Sequence, residues 1–523
     1  MKTSLFFWAI TLVTVVSLCC QPLFLKQEDA KNSSSVPKEF DVVETSIKKV
    51  HQAYTENTLT AERLVEIYLE RIQKYDQPSG LNAITSVNKM ALQEARSLDE
   101  EFRKTGQLRS LHGIPVIVKE NISTVGLQTT AGSLALKGFM PKEDAFIIKK
   151  LKDAGAIILA KSNMAEWGIN ANVTISSVAG ETLNPYNLAY TTAGSSGGTA
   201  AAIAANFGII GIGTDTGGSI RGPASHNAIV GVRPSMGLTS RKGIIPLNLR
   251  NDVPGPMTRT AEDAARVLEV INGYDPEDPL TEYGREKLPG SYTEFLQKDA
   301  LKGIRIGVFR KLSNYASPEI DTLFQQAIYE LEKQGAIIVE SFEVPGFDSL
   351  RHNQWCAVFQ DDLNEFLSSL GDEAPVNSLQ EVIASGKYSK YIENDLINYQ
   401  KYMRVQGETV CGGPFSDNKR IEFRNAIQQA MNLKRVDALI YPSWNRSPIK
   451  AGTIYAITGD NNHIIAPHTG QPAVTVPMGF LPENLPAGIQ FLGRIFEDHK
   501  ILSFAYAFER ATQHRKKPKT FSK

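Results

Sequence analysis

Apolar positions in the first part of the chain alternate between helical spacing and short unbroken runs. Within residues 41–75 they recur on one helical face behind Thr60, a residue type that caps helices, so this stretch is predicted to be helical. The run 113–119 is short and rich in β-branched residues, which is typical of a buried strand. A helix is predicted over 144–154, ending at Gly155.

The alternation continues toward the middle of the chain. Strands are predicted at 156–160 and 208–213, with a helix between them at 200–206. Thr260 can cap a further helix, and Asp263 occupies the position of a capping-box acid. Alternating strands and helices predict an α/β fold whose core is a mixed, largely parallel β-sheet covered by helices on both faces.

The pattern changes in the second half of the chain. Between residues 315 and 435 apolar residues recur at helical spacing, for example over 421–433, and we interpret this part as a mostly helical elaboration of the fold. Apolar runs at 436–441 and 473–476 predict a return to strands. An amphipathic helix is predicted over 500–512.

The N-terminal segment has the form of an export signal. Residues 1–20 begin with a short positive start and continue as an apolar stretch too short to span a membrane comfortably. Residues 21–38 are mostly polar and are interpreted as a flexible leader. We therefore expect a secretory or lipoprotein signal and an exported protein, with an uncleaved membrane anchor as the alternative. Cys19 and Cys20 offer a site for a lipid tether, although neither follows the small residue that lipidation favours.

Charge and cysteine content exclude several classes of function. The 523 residues contain 56 Lys+Arg and 56 Asp+Glu, so no net field attracts nucleic acid and no nucleic-acid partner is expected. The basic run 515–519 overlaps the last segment, 516–523, which is expected to be a solvated polar tail. No histidine, cysteine or acidic cluster has ligand spacing, so neither a metal nor an organic cofactor is expected. The sequence does not decide whether Cys356 and Cys411 pair.

Two glycine–serine segments carry the candidate chemistry. They are Thr-Ala-Gly-Ser-Ser-Gly-Gly-Thr at 192–199 and Gly-Thr-Asp-Thr-Gly-Gly-Ser-Ile-Arg-Gly-Pro-Ala at 213–224. Glycines let the backbone approach a ligand closely, and successive N–H groups form a cradle of donors. A serine directly after such a cradle can attack a carbonyl while the cradle holds the resulting oxyanion.

The first segment alone allows other interpretations. Residues 194–198 match the G-x-S-x-G nucleophile elbow, centred on Ser196, but an elbow follows a buried strand and residues 184–190 contain turn formers. A phosphate-binding loop would end in Gly-Lys-Ser/Thr, which is absent. Taken singly, either segment is most simply a tight turn.

Together with Lys119, the two segments resemble the amidase-signature family. Lys119 lies in the run Gly-Ile-Pro-Val-Ile-Val-Lys-Glu-Asn, and further matches are Lys-Ser-Asn-Met-Ala-Glu at 161–166, Gly-Pro-Met-Thr-Arg-Thr at 255–260 and Leu-Pro-Ala-Gly-Ile-Gln at 485–490. The resemblance covers roughly residues 40–515 and is weakest in the helical part. It implies the amidase-signature fold and a single catalytic domain over 39–515.

The resemblance also implies the catalytic roles. By position, Ser219 is the nucleophile, Ser195 is the bridging serine that follows a cis peptide, and Lys119 is the base. Burial at the end of an apolar strand disfavours a charged lysine and lowers its pKa. A neutral Lys119 could then draw a proton from Ser219 through Ser195 and return it to the leaving amine.

Further residues receive supporting roles. The implied oxyanion donors are the backbone N–H groups of Thr216, Gly217, Gly218 and Ser219. Hydrogen bonding or bracing within the site is expected of Ser196, Asp215 and Arg221. Lining of the pocket and a structural role are equally open for Asn163 and Glu166, and His226 is expected to be a packed or hydrogen-bonded residue.

The function implied is cleavage of an amide to a carboxylate plus ammonia or amine through an acyl-enzyme. The segment 273–279 looks like that of peptide amidases, so a small amide or a C-terminal peptide amide is the expected substrate. One alternative is the glutaminase component of glutamyl-tRNA amidotransferase, but that complex works inside the cell and the export signal argues against it. Another is a catalytically inactive tethered binding protein, which the intact set of Lys119, Ser195 and Ser219 argues against.

Overall fold

A computed structural model describes residues 40–401, 411–453 and 459–522. The predicted export signal, the flexible leader, Cys19 and Cys20 lie outside the described residues.

Helices and strands alternate along the chain, as the sequence predicts. The α-helices are α1 (Ile47–Thr55), α2 (Ala61–Ser79), α3 (Ala91–Thr105), α4 (Phe146–Asp153), α5 (Gly197–Ala204), α6 (Arg221–His226), α7 (Ala261–Ile271), α8 (Arg310–Ser313), α9 (Pro318–Lys333), α10 (Phe347–Leu350), α11 (Phe359–Ser369), α12 (Leu379–Ser385), α13 (Glu393–Lys401), α14 (Asn418–Leu433), α15 (Ala466–Thr469) and α16 (Asp498–Thr512). The strands are β1 (Ile84–Val87), β2 (Pro115–Lys119), β3 (Ile157–Ser162), β4 (Ile175–Ser176), β5 (Gly180–Glu181), β6 (Leu183–Asn184), β7 (Asn187–Thr191), β8 (Ile210–Asp215), β9 (Val230–Arg233), β10 (Val253–Thr258), β11 (Arg305–Val308), β12 (Ile337–Val339), β13 (Ala438–Pro442), β14 (Ala473–Leu481) and β15 (Leu485–Leu492).

The large sheet confirms the predicted α/β fold. Its strand order is β1-β3-β2-β8-β10-β9-β14-β15-β13-β11-β12. Parallel pairing occurs in two blocks, one around β2 with β3 and β8, the other around β11 with β12 and β13. Antiparallel strands join the two blocks, from β8 through β10, β9, β14 and β15 to β13. The parallel block around β2 positions the candidate site, because β2 and β8 lead directly into it.

Helix starts agree with the predicted caps, with one correction. The stretch 41–75 divides into α1 and α2, and the Thr60 side chain accepts the N–H of Arg63 at 3.1 Å. Thr260 likewise caps α7. The Asp263 carboxylate does not complete a capping box: its Oδ1 accepts the N–H of Ile47 at 3.2 Å, and its Oδ2 has no partner in the described chain. The carboxylate therefore joins α7 to the start of α1.

The helical elaboration packs onto the sheet domain through apolar contacts. Leu363, Leu379 and Leu396 share one buried cluster with Leu136 and Trp167, which precede the first serine segment. The range 315–435 is not wholly helical, since β12 lies within it and pairs with β11.

A disulfide lies in this part of the chain. Cys356 and Cys411, whose pairing the sequence left open, are bonded, with their Cα atoms 6.4 Å apart.

The C-terminal segment corrects a prediction, because it is not a solvated tail. Phe521 is fully buried, and its carbonyl accepts a hydrogen bond from Arg71 at 2.6 Å. Arg515 forms an ion pair with Glu44 at 2.7 Å. The basic residues suggested solvation, but one phenylalanine and one distant carboxylate hold the segment against the domain.

Among the helices of the described residues, none has the length and apolar character needed to cross a membrane.

Candidate active site

Lys119 lies at the end of β2, a strand whose five residues are all buried. Its Nζ donates to Ser195 Oγ and to Thr214 Oγ1, each at 2.8 Å. The side chain is 1% exposed. Burial lowers the pKa of Lys119 to about 7, against the opposing charges of Asp252 and Asp215. A substantial fraction of this amine is therefore neutral and able to accept a proton at pH 7.

The first serine segment runs from the end of β7 into α5. The Gly194–Ser195 peptide is cis, as the resemblance implied. The N–H of Ser196 donates to the carbonyl of Ser219 at 3.2 Å, which joins the first segment to the second. The Ser196 hydroxyl donates to the Thr214 carbonyl at 3.2 Å, so the expected hydrogen bonding of Ser196 is present.

The nucleophile-elbow interpretation fails for a different reason than the sequence suggested. A strand, β7, does precede the segment, although turn formers had argued against one. It pairs with β6 in a separate two-stranded hairpin and not with the large sheet. Ser196 itself is fully buried and held by Thr214. It therefore does not present a hydroxyl to a substrate.

The second segment forms the loop between β8 and α6. Gly218 adopts φ +118°, and a Cβ there would lie 2.4 Å from the Cβ of Asn462, so only glycine fits. Ser219 follows and is 6% exposed. Within the described chain its hydroxyl forms no hydrogen bond to Ser195. The structure thus forms the Lys119–Ser195 link of the expected relay and leaves the Ser195–Ser219 link open.

A buried charge network braces this loop. Asp215 pairs with Arg221 at 3.0 Å and with Arg233 at 2.8 Å, and all three side chains are fully buried. Burial alone would raise the pKa of Asp215, but the two guanidinium charges and their hydrogen bonds outweigh it and hold that pKa well below its usual range. The bracing expected of Asp215 and Arg221 is therefore present. Arg233 was missed, because it lies outside both serine segments.

The set of oxyanion donors needs one correction. The N–H of Gly218 donates to Asp215 Oδ1 at 2.9 Å, so it points into the loop and away from a substrate. The cause is the Asp215 carboxylate, which the two arginines hold beneath the loop. The N–H groups of Thr216, Gly217 and Ser219 donate to no protein atom in the described parts of the chain, and they are the remaining candidates for holding an oxyanion.

Residues outside the motifs complete the surroundings of the site. Asp252 accepts a hydrogen bond from the Thr216 hydroxyl and contributes a negative charge near Lys119. Trp355, from the helical elaboration, packs against the loop between β8 and α6: a Cβ at Gly217 would lie 2.9 Å from its ring. Neither residue belongs to a local motif, so the sequence contained no signal for them.

Asn163 and Glu166, for which pocket lining and a structural role were equally open, both have structural roles. Asn163 donates to Thr182 Oγ1 at 3.0 Å. Glu166 is fully buried and accepts the N–H groups of Ser177 at 2.9 Å and Ser389 at 3.0 Å, which ties the elaboration to the sheet domain. His226 is packed, as expected, but its ring forms no hydrogen bond within the described residues. No group of three or more histidine, cysteine or acidic side chains is placed to hold a metal ion in residues 40–401, 411–453 and 459–522.

Comparisons with known proteins agree with this geometry. A family model described as Amidase matches residues 63–502. A probable amidase of Arabidopsis thaliana is 34% identical, over 92% of each chain. The A component of the glutamyl-tRNA(Gln) amidotransferase of Alkaliphilus metalliredigens is 33% identical, over 90% of this chain and 96% of its own. The structure of the native peptide amidase from Stenotrophomonas maltophilia superposes with a TM-score of 0.78 at 33% identity, over 91% of this chain and 98% of its own.

Proposed function

Because the chain belongs to the amidase family and is an amide hydrolase, we propose that it cleaves its substrate through a relay of Ser219, Ser195 and Lys119. The observation that carries this proposal is the 2.8 Å hydrogen bond from a fully enclosed Lys119 to Ser195. An amine with a pKa of about 7 is matched to proton transfer near neutral pH.

The relay accounts for each proton in the reaction. Lys119 takes the hydroxyl proton of Ser195, which takes that of Ser219 as the Ser219 oxygen attacks the amide carbon. The N–H groups of Thr216, Gly217 and Ser219 hold the oxyanion. The proton returns along the relay to the leaving nitrogen as the carbon–nitrogen bond breaks, and water then hydrolyses the acyl-enzyme by the same route. These steps require the Ser219 side chain to turn toward Ser195 when substrate binds.

The expected substrate is a small amide or a C-terminal peptide amide. Support comes from the peptide amidase of Stenotrophomonas maltophilia, which matches over nearly its whole length. The glutamyl-tRNA amidotransferase component is a relative of similar identity, and its name implies partner proteins. Activity of the isolated chain on free amides distinguishes the two functions, because a protein that serves a complex depends on its partners.

Export of the protein is part of this proposal. It is supported by the apolar segment 1–20 and by the Cys356–Cys411 disulfide, since disulfides persist mainly in oxidising compartments. Cell fractionation followed by mass spectrometry of the mature N-terminus tests it. A cleaved terminus supports export, a lipid on Cys19 or Cys20 identifies a tether, and an intact cytosolic chain contradicts export.

The test of the mechanism is Ser219→Ala, with Ser196→Ala as the matched control. Ser219→Ala should lower ammonia release from aliphatic, aryl and peptide amides by about 10⁴-fold or more, because removing a nucleophile removes the covalent route. Ser196→Ala should lose far less. Near-normal release by Ser219→Ala would contradict the mechanism and return Ser196 to consideration.

A further inference from the structure

Trp355 contacts the active site from a connection without regular structure. Residues 351–358 lie between α10 and α11 and belong to neither a helix nor a strand. Trp355 packs on Gly217, whose N–H is one of the candidate oxyanion donors. Its ring also meets the ring of the buried His468 edge to face, with centroids 4.9 Å apart. Since no helix or strand fixes the position of Trp355, contacts with other parts of the chain must do so.

The residues on either side of Trp355 are bonded to distant parts of the chain. Before it, Gln354 is buried, and its carbonyl accepts a hydrogen bond from α14 at 3.2 Å. After it, the Cys356 carbonyl accepts a hydrogen bond from the side chain of Asn248 at 3.1 Å, and the Cys356 sulfur is bonded to Cys411. Of these three links, only the disulfide is covalent, so only the disulfide cannot be replaced by a hydrogen bond to water.

Both ends of the disulfide are tied to one loop of the sheet domain, residues 247–252. This loop supplies the hydrogen bond to the Cys356 carbonyl, and its Arg250 Nε donates to the carbonyl of the residue after Cys411 at 2.7 Å. At its end, Asp252 accepts a hydrogen bond from the loop between β8 and α6. The disulfide therefore belongs to a continuous set of contacts that leads from the elaboration to the loop of the nucleophile.

The disulfide can be opened without removing the apolar packing of the elaboration. The bond closes a loop of the chain that contains α11, α12 and α13. The buried cluster that packs the elaboration onto the sheet domain contains neither Cys356 nor Cys411. Both cysteines are partly exposed, so a small reductant can reach them. Loss of the bond should therefore loosen the connection around Trp355 before it affects the fold.

We propose that the Cys356–Cys411 disulfide positions Trp355 as a wall of the acyl-group site, so that the preference among acyl groups depends on this bond. The inference rests on the proposed hydrolysis at Ser219 and concerns the substrate preference of that site. The acyl group stays bonded to Ser219 while the amine departs, so a ring packed on Gly217 adjoins the part of the substrate that remains. Cys356 and Cys411 are positioning residues, because they act through Trp355.

The test uses N-acetylalaninamide and N-acetylphenylalaninamide, which release the same ammonia and differ in acyl group. Cys356→Ser combined with Cys411→Ser should change the ratio of their kcat/KM values by about two- to fivefold, in the same direction as Trp355→Ala. In the Trp355→Ala background the two serines should change this ratio no further, because effects that act through one contact are not additive. A third substrate, N-acetylphenylalanine p-nitroanilide, differs from the second only in its leaving amine. The ratio between the second and third substrates should stay as it is in the wild type.

Reduction of the folded wild-type enzyme is a second measurement, which does not depend on the folding of the variants. Dithiothreitol gives up two electrons and two protons, so the protein gains two thiols and the reagent becomes a cyclic disulfide. Under conditions where alkylation and mass spectrometry show the bond to be open, the ratio should change as it does in the double serine variant. The same treatment of that variant is the control, and its ratio should not change.

An acyl-group ratio that is unchanged when the bond is open, or a change that persists in the Trp355→Ala background, would overturn the inference and leave the proposed function intact. An equal loss on all three substrates would also overturn it, because the bond would then support the fold as a whole. Hydrolysis of these substrates by Ser219→Ala would instead overturn the proposed function.

Discussion

The serine segments and the helical elaboration meet at one site but are built in opposite ways. Around the segments most functional groups are polar, deeply buried and paired: Lys119 is held by one hydroxyl from each segment, and Asp215 lies between two arginines. The elaboration contributes Trp355, which is 49% exposed and packs against the loop between β8 and α6. Fixed polar contacts set the position of reacting atoms, whereas an exposed aromatic contact can change with little cost to the fold. We therefore expect changes in the segments to affect the reaction and changes in the elaboration to affect substrate preference.

Apart from Ser219→Ala, the largest effect is expected at Lys119, which contacts both segments. Lys119→Ala should lower kcat/KM on amides by about 10²–10⁴-fold, since the general base is lost, and should lower it less on activated esters, whose leaving groups need no proton. Lys119→Arg keeps the charge but cannot release its proton, so it should not restore amide hydrolysis. Steady-state assays on matched amides and esters measure this. Substantial amide activity of the arginine variant would show that only the charge matters.

The next largest effect is expected on stability. Asp215→Asn removes the charge between two buried guanidinium groups and should cost about 3–5 kcal/mol in the free energy of unfolding. The control is Asp498→Asn, at a buried carboxylate that accepts bonds from Ser235 rather than from an arginine, and its cost should be much smaller. Urea denaturation of both variants gives the comparison. Equal losses would mean that the arginines contribute nothing specific to the loop.

The pH dependence of kcat/KM tests the electrostatic surroundings of Lys119. Only neutral Lys119 accepts a proton, so kcat/KM should rise about tenfold per pH unit below pH 7 and level off above it. The charge of Asp252 raises the pKa of Lys119, so Asp252→Asn should move the rising limb to lower pH, by up to about one unit. Asp275→Asn, at a buried carboxylate bonded to Ser240, is the control. If the rising limb of Asp252→Asn stays in place or moves to higher pH, the limb does not report the pKa of Lys119 as raised by Asp252.

The smallest effect is expected in the elaboration. Trp355→Ala should change the ratio of kcat/KM between bulky and small acyl groups by about two- to fivefold, the size of one aromatic contact. Stability should hardly change. Tyr315→Ala, which removes an aromatic ring 77% exposed and outside the site, should leave the ratio as it is. If Trp355→Ala lowered kcat/KM as much as Lys119→Ala does, the proposed distinction between the segments and the elaboration would be wrong.

The sequence predicted features that depend on local pattern and missed those that depend on distant partners. Strands β2 and β8, the cap at Thr60 and the serine segments follow from neighbouring residues, and the structure brings Lys119 to Ser195 as the resemblance implied. The hydrogen bond from the Gly218 N–H to Asp215 removes Gly218 from the expected set of oxyanion donors. The sequence could not indicate this, because the direction of a single N–H depends on the geometry of the loop.

Distant pairs explain the remaining errors. Arg515 pairs with Glu44, 471 residues away in sequence. No local pattern could indicate that this pair holds the basic C-terminal segment against the domain. Arg233 and Trp355 reach the site from elements that carry no chemical motif. Such contacts depend on the topology of the sheet, which the order of strands along the chain does not determine.

The anchored C-terminus has a consequence for the order of events during synthesis. Arg71 and Phe521 are 450 residues apart in sequence, so their contact can form only after the residues between them have been synthesised. Closing so long a loop costs conformational entropy before the contact repays it, so we expect this hydrogen bond to form late in folding. The residues between Arg71 and Phe521 must therefore begin to fold without the hydrogen bond that joins the two ends of the domain.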